Sequence, residues 1–328
     1  MRRHSGRPHL PHISRTQLIA PAGAIFFCLV AGISLRFIPN SQAQNRGADQ
    51  RSSIRVDVSL VSVIASVLDA NNRPAPDLHQ DQFEVYEEGK PQKIEVFEPE
   101  TQQPLDLALM IDSSLSEIKE LQFESDAAAR FIAQVVRPDD RVGIFEFADT
   151  VTQLASFSGN VPQLQAAVKR VTPGDGTALY DAVYLGSDAL GKAPSDRRKV
   201  LILITDAGET TSRADFETAR RAALRAEALI YTIVMRPVKN ENGRNTAGEH
   251  ALETIADSTG GAMYYPEEIS QLDAIFERIN RELRTQYRLA YYPQPRPPQG
   301  SYRSIEVRVK GNYKVRYRKS YYSGGVTN

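Results

Sequence analysis

The chain has 328 residues, and its 40 basic and 40 acidic residues give a formal net charge of zero. A chain of this length can bury a sizeable core, with room for one domain of about 200 residues and a smaller one. The balanced charge argues against nucleic acid as the main partner, and a single cysteine excludes an internal disulfide.

Residues 1–43 are predicted to be a targeting segment. A basic beginning precedes an apolar run over 18–35, and Ser41-Gln42-Ala43 has the small residues that a signal peptidase accepts. The run is also just long enough to span a bilayer, and Arg36 directly after it is unusual for a cleavable signal. We therefore expect export to the periplasm, cell surface or medium, with either a cleaved signal peptide or a retained inner-membrane anchor. Residues 44–53 are predicted to be a disordered linker.

The segment 54–100 has the pattern of short strands. Apolar and polar residues alternate over 56–67. Two further short runs, at 83–85 and 94–96, are separated by a predicted turn at Gly89-Lys90-Pro91. This part of the chain is predicted to be all-β.

After Pro104 the pattern changes to that of an α/β fold. Nearly continuous apolar runs suit parallel strands that are covered on both faces; they span 105–111, 142–147, 200–204 and 229–234. Residues 151–157 are predicted to be the antiparallel hairpin partner of the preceding strand. Helical spacing of apolar residues separates the runs, over 118–135, 161–171, 178–191, 214–228, 249–259 and 269–285. We predict one domain over 104–286, built on a doubly wound, mostly parallel six-stranded sheet.

The last segment, 287–323, returns to β character. A proline-rich connection at 293–300 leads to alternating residues at 305–310, and Gly311-Asn312 is a hairpin signal before the strand at 313–317. Because β segments flank the α/β part on both sides, we expect 54–100 and 287–323 to pack together as a small all-β domain.

Oxygen-bearing side chains follow the apolar runs of the predicted sheet. In open parallel sheets, ligands bind at the carboxyl ends of the strands. Asp112-Ser113-Ser114-Leu115-Ser116 follows the first run, Thr177 lies just before a helix, and Asp206 ends another strand. Each has an alternative explanation, since Asp112, Ser116 or Thr177 could cap a helix and Asp206 could close a turn. Their occurrence together, in order and at strand ends, favours a metal site.

Three motifs together resemble the metal-ion-dependent adhesion site of von Willebrand factor A domains. They are Asp-x-Ser-x-Ser after an apolar strand, a later Gly176-Thr177-Ala178-Leu179-Tyr180-Asp181, and a strand that ends in Thr205-Asp206. The resemblance covers about residues 104–286. By position it implies five metal-site residues: Asp112, Ser114, Ser116, Thr177 and Asp206. One departure is Ala207, because the family usually has glycine after its last aspartate. The layout, with 81–89 before the domain and 287–292 after it, also resembles exported VWFA-related proteins of acidobacteria.

The resemblance implies a binding module rather than an enzyme. Hydroxyl and carboxylate oxygens suit Mg²⁺, or Ca²⁺ or Mn²⁺. A site whose direct ligands are mainly neutral hydroxyls leaves the ion electropositive, and in the family it captures an aspartate or glutamate carboxylate of a protein partner. The implied function is thus adhesion or scaffolding at the cell envelope.

Two other functions stay open on the sequence. A metal-assisted hydrolase or phosphotransferase is conceivable because Asp112 follows a strand, as a nucleophilic aspartate would. Against it, the chain has neither a phosphate-binding loop nor a nucleophile elbow, and Ser114 stands where a second aspartate would be expected. The third possibility is a structural envelope component in which the metal only stabilises the fold.

Overall fold

The structure is a computed structural model that describes residues 60–99, 102–114, 118–235 and 245–324. The predicted targeting segment 1–43 and linker 44–53 lie outside these residues, so both stay predictions. Within the described ranges, no helix combines the length and the apolar character that crossing a membrane requires.

The first four strands belong to two different sheets. They are β1 (Val61–Leu68), β2 (Phe83–Glu87), β3 (Lys90–Gln92) and β4 (Ile94–Glu98). β2 and β3 form an antiparallel hairpin, whose turn residues Glu88 and Gly89 have φ angles of 50° and 72°, as a tight hairpin requires. The predicted turn at Gly89-Lys90-Pro91 is therefore misplaced: Lys90 and Pro91 lie in β3. That strand is at the edge of its sheet, where the missing N–H of proline is tolerated.

The middle of the chain forms a six-stranded sheet. Its strands are β5 (Leu105–Asp112), β6 (Arg141–Phe147), β7 (Val151–Ser158), β8 (Arg198–Thr205), β9 (Ala228–Val234) and β10 (Ala262–Tyr264). Their spatial order is β10-β9-β8-β5-β6-β7, and all neighbours are parallel except β6 and β7. This confirms the predicted mostly parallel sheet. The sequence patterns did not locate β10, which is only three residues long.

Helices cover both faces of this sheet. They are α1 (Ile118–Val135), α2 (Val161–Val168), α3 (Leu179–Gly191), α4 (Phe216–Ala226), α5 (Thr246–Thr259) and α6 (Leu272–Arg284). Leu107 and Leu109 of β5 share one apolar core with α1 and α6, where the rings of Phe131 and Phe276 stack at 4.5 Å. Met110 faces the opposite core, with α3 and α4. Burial on both faces explains why the apolar runs of these strands are continuous.

Two helix starts differ by three residues from the predictions. α5 begins at Thr246 rather than at residue 249 because the Asn245 side chain caps it, accepting a hydrogen bond of 3.0 Å from the Gly248 N–H. The predicted helix over 269–285 begins with a 3₁₀ turn, Ile269–Gln271, before α6.

The C-terminal strands complete the two small antiparallel sheets. They are β11 (Tyr287–Tyr291), β12 (Tyr302–Val309), β13 (Lys314–Tyr317) and β14 (Ser320–Tyr322). The sheet orders are β13-β1-β11-β4 and β14-β12-β2-β3, and Val63, Val85, Leu289 and Val307 share the core between them. Strands from both ends of the described chain thus form one small β sandwich.

The hairpin predicted at Gly311-Asn312 is wrong. β12 pairs with β2 and β14, whereas β13 pairs with β1 in the other sheet. β13 instead lies along the edge of β1, where Tyr317 is buried in the core of the sandwich. The segment between them crosses from one sheet of the sandwich to the other.

Candidate metal centre

The candidate site lies where β5 and β8 end. These strands are parallel neighbours, with Ile111 paired to Ile204, so Asp112 and Thr205 emerge at the same edge of the sheet. The loop before α3 joins them, since the Gly174 N–H donates to the Ser113 carbonyl oxygen over 3.0 Å. The fold thus brings three separate parts of the sequence to one place.

Asp112 is fully buried, and both of its carboxylate oxygens accept hydrogen bonds. The Ser114 N–H donates to Oδ1 over 3.0 Å, and the Ser114 hydroxyl donates to the same oxygen. The Thr205 hydroxyl donates to Oδ2 over 2.5 Å. These bonds hold the carboxylate in one orientation, so Asp112 does not act as a helix cap.

Thr177 lies directly beside Ser114. Its hydroxyl donates to Ser114 Oγ over 2.8 Å, and its N–H donates to Thr210 Oγ1 over 2.8 Å. The helix that follows begins at Leu179 with Ala178 as its N-cap residue and without a side-chain cap. The alternative role of Thr177 as a helix cap is therefore wrong, and its hydroxyl joins Ser114 and Asp112 in one hydrogen-bonded chain.

Asp206 lies at the same edge, next to Thr177. Its Oδ1 accepts a hydrogen bond of 2.7 Å from the Gly208 N–H, so it does close a turn. A Cβ atom added to Gly208 would lie 2.9 Å from Asp206 Oδ1 and 3.2 Å from Thr177 Oγ1. The carboxylate and the hydroxyl therefore flank the same point. Ser116, the fifth predicted residue, lies outside the described residues.

Ala207 explains how the loop keeps Asp206 in place without the family's usual glycine. Its φ angle is 65°, in the left-handed region that glycine adopts more easily. The residue is fully buried, and a Cβ atom on Gly248 of α5 would lie only 2.0 Å from the Ala207 carbonyl oxygen. The backbone thus follows a glycine-like path while α5 packs directly against it.

Burial, followed by the nearby negative charge of Asp206, raises the pKa of Asp112 to about 6, against the lowering effect of hydrogen bonds from Ser114 and Thr205. Two carboxylates that face a desolvated point, and that form no ion pair with a described cationic side chain, favour protonation of one of them. A divalent cation would reverse this effect, because it stabilises both carboxylates in their charged form.

The donor set fits a hard divalent cation. Two carboxylates and two hydroxyls supply only oxygen atoms, which Mg²⁺, Ca²⁺ and Mn²⁺ prefer. Within the described residues, no group of three or more histidine, cysteine, aspartate or glutamate side chains is placed to hold a metal. A cation at this edge would therefore depend on the hydroxyls of Ser114 and Thr177 as well as on Asp112 and Asp206.

Sequence reasoning did not identify the role of Thr205. Besides its bond to Asp112, its hydroxyl accepts a hydrogen bond of 3.0 Å from the Ala207 N–H, so it connects the two aspartate-bearing loops. The signal was its position directly before Asp206 at the end of an apolar run. A threonine in a strand is otherwise ordinary, so the pattern alone could not single it out.

The loop after Asp206 is fastened to the start of α3. The Tyr180 N–H donates to Glu209 Oε2 over 3.1 Å, and the Ala214 N–H donates to Asp181 Oδ1 over 2.8 Å. These contacts fix the segment that carries Asp206 against the segment that carries Thr177. The site is thus held by elements from distant parts of the sequence.

A comparison with protein families agrees with this geometry. Residues 107–209 match the family model described as von Willebrand factor type A domain. The matched range runs from β5 to just beyond β8 and contains Asp112, Ser114, Thr177 and Asp206. The chain contains a von Willebrand factor type A domain. No curated protein matches this chain, and the finer resemblance to exported acidobacterial proteins stays a prediction.

Several solved structures are similar to the chain that carries this von Willebrand factor type A domain. The conserved hypothetical protein BatB from Bacteroides thetaiotaomicron is 16% identical, with a TM-score of 0.44, over 54% of this chain and 98% of BatB. A von Willebrand factor type A protein from Catenulispora acidiphila is 12% identical, with a TM-score of 0.48, over 83% of this chain and 76% of that protein. Proximal thread matrix protein 1 from the mussel byssus, with a zinc-occupied MIDAS motif, is 18% identical, with a TM-score of 0.47. The match covers 58% of this chain and 47% of that protein. Identities this low carry no information on function.

Proposed function

We propose that the von Willebrand factor type A domain is a metal-dependent protein-binding module, which acts in adhesion or as a scaffold. Asp112, Ser114, Thr177 and Asp206 would hold Mg²⁺, or Ca²⁺ or Mn²⁺, with Ser116 as the fifth residue of the site. The observation that carries the proposal is the contact of 2.8 Å between the hydroxyls of Thr177 and Ser114, which lie 63 residues apart in sequence and meet beside Asp112.

The partner would be a protein that offers an aspartate or glutamate carboxylate. When bound, the cation would supply a positive centre that a carboxylate from outside can complete. Ser114 is only partly buried, so the site can be approached from solvent. The hydrogen bonds to Asp112 orient its oxygens before any partner arrives, which reduces the entropy lost on binding.

The proposed role is not enzymatic. No phosphate-binding loop is present in the sequence, and Ser114 occupies the place of a second aspartate after Asp112. We further propose that the chain works outside the cytoplasm, in the cell envelope or beyond it, that 1–43 is either a cleaved signal or a membrane anchor, and that nucleic acid has no role. The export proposal is supported by the sequence of 1–43 alone.

The experiment that tests this function is a pull-down from envelope extracts with the full chain in Mg²⁺ and in chelator. We expect capture in Mg²⁺ only, and none by the Asp112→Ala variant with an unchanged circular dichroism spectrum. Asp149→Ala is the matched control, because Asp149 is an exposed carboxylate in the turn after β6, at the same edge of the sheet. It should capture as well as the unaltered chain.

Chemical blocking of the partner distinguishes carboxylate capture from other binding. Amidation of the carboxylates in the extract with a carbodiimide should abolish capture. Capture that survives amidation, or that is equal in Mg²⁺ and chelator, would contradict the proposal. Phosphatase activity that depends on Mg²⁺ and on Asp112 would favour the hydrolase instead, and a chelator-sensitive melting temperature without any captured partner would favour a structural component.

A further inference from the structure

A cavity of about 250 Å³ lies at the opposite end of β8 from Asp112. Its wall includes Lys199 at the start of β8, Ser62 and Ile64 of β1, and Arg318 in the short connection between β13 and β14. Lys199 and Thr205 are six positions apart along β8, a distance of about 20 Å. The cavity is therefore distinct from the candidate metal centre.

The wall of this cavity is strongly cationic. It contains one carboxylate, that of Glu227, and six cationic side chains: Arg197, Arg198, Lys199, Arg225, Arg288 and Arg318. Three of the arginines have carboxylate partners, at 2.6 Å for Arg197 with Asp106, 2.7 Å for Arg288 with Glu98 and 2.6 Å for Arg318 with Glu227.

The other three cations, Arg198, Lys199 and Arg225, form no ion pair with a carboxylate among the residues that the structure describes. Arg198 is 3% exposed and donates only to neutral oxygens, including the Leu283 carbonyl and Gln286 Oε1. Arg225 lies over the ring of Tyr322 at 5.6 Å. The cavity wall thus contains more cationic side chains than carboxylates that pair with them among the described residues.

Two further observations indicate that the wall is short of an anion. The Nε atom of Arg318 is buried without a hydrogen-bond partner among the described residues, although the two terminal nitrogens of its guanidinium do donate. Burial lowers the pKa of Lys199, and Arg318 adds to the effect, against the raising influence of Glu227 and Asp106. Desolvating a cation, or leaving one of its N–H groups without a partner, is costly, and a bound anion would offset that cost.

The rest of the wall is mixed: Ile64, Leu224 and Leu229 supply apolar surface, and Ser62, Gln103, Ser195 and Thr259 supply polar groups. A cavity of about 150 Å³ holds a benzene-sized group, so this one can hold a ring together with an anionic head. We propose that the cavity binds a small organic oxyanion, whose carboxylate or phosphate head contacts Lys199, Arg225 and Arg318 and whose apolar body packs against Ile64 and Leu224.

The test measures binding of three probes to the full chain by isothermal titration calorimetry at fixed ionic strength. Phenyl phosphate and benzoate have an oxyanion head on one ring, and phenol has the ring without the charge. We expect saturable binding of at least one of the two anions, which also identifies the preferred head, and binding of phenol at least tenfold weaker. Absence of saturable binding by both anions, or phenol that binds as tightly, would overturn the proposal.

Variants locate the site. Lys199→Gln should weaken binding of the preferred anion about tenfold, as expected for one lost charge-assisted hydrogen bond. Arg225→Gln changes an exposed helix position, so it should fold even if Lys199→Gln does not, and it should weaken binding about threefold. Lys169→Gln is the matched control, because Lys169 is exposed after α2 and does not line the cavity. Equal binding by the unaltered chain and both cavity variants, or an equal loss in the control, would show that the anion does not bind here.

Discussion

Thr205 Oγ1 donates a hydrogen bond of 2.5 Å to Asp112 Oδ2, and both residues are fully buried. This bond joins the ends of two neighbouring parallel strands and leaves Oδ1 to the N–H and hydroxyl of Ser114. The orientation of the first aspartate of the site therefore depends on a residue of another strand.

Thr205→Val tests that dependence, because valine keeps the shape and removes the donor. We expect the free energy of unfolding to fall by about 1–2 kcal/mol, since a buried carboxylate oxygen loses its partner, and Mg²⁺ affinity to fall about tenfold. Thr232→Val is the matched control: Thr232 is equally buried, in β9, but its hydroxyl has no partner among the described residues. That change should be neutral or stabilising by chemical denaturation, and equal losses in the two variants would contradict the assigned role.

Gly248→Ala tests the packing of α5 on the loop that carries Asp206. An added Cβ would lie 2.0 Å from the Ala207 carbonyl oxygen, so helix or loop must move. We expect a loss of about 2–3 kcal/mol in the free energy of unfolding together with weaker Mg²⁺ binding. In Gly191→Ala the added Cβ would meet only Ala226, 3.8 Å from its Cβ and 4.0 Å from its Cα, which are ordinary contacts, so both properties should be unchanged. Gly248→Ala with unaltered Mg²⁺ affinity would show that α5 does not support the site.

Metal removal should lower the melting temperature. Mg²⁺ that binds only the folded chain stabilises it by about 2.7 kcal/mol at a concentration 100 times its dissociation constant. Differential scanning calorimetry in Mg²⁺ and in chelator would measure this difference. Asp112→Ala should melt at one temperature in both conditions, and a shift that persists in this variant would place the cation elsewhere.

The metal effect should depend on pH through Asp112. Burial raises the pKa of Asp112 to about 6 in the metal-free chain. The protonated carboxyl therefore stabilises the metal-free fold fully below about pH 4, the usual pKa range of an aspartate. This stabilisation is lost as the pH rises to about 6. Cation binding needs the deprotonated form, so Mg²⁺ affinity should fall about tenfold per pH unit below pH 6 and level off above it. Asp112→Asn cannot titrate at this position, and a similar pH profile in that variant would assign the effect to another group.

The sequence by itself determined the class of fold and the candidate site. Continuous apolar runs predicted the parallel strands because a strand buried on both faces needs apolar residues at every position. The places of oxygen-bearing side chains after strands and before a helix predicted a site, since parallel strands end at a common edge. The resemblance to the metal-ion-dependent adhesion site then singled out Asp112, Ser114, Thr177 and Asp206.

Only the tertiary structure decided which elements are partners. The Gly311-Asn312 signal predicted a hairpin, but β12 pairs with β2 and β14, and β13 pairs with β1 in the other sheet. The bond from Thr205 to Asp112 and the left-handed backbone of Ala207 depend likewise on neighbours that are distant in sequence. Side-chain periodicity is a local property, which a sequence displays directly. The choice of partner and the backbone path of a packed loop depend on which surfaces meet, and they are set only when the whole chain folds.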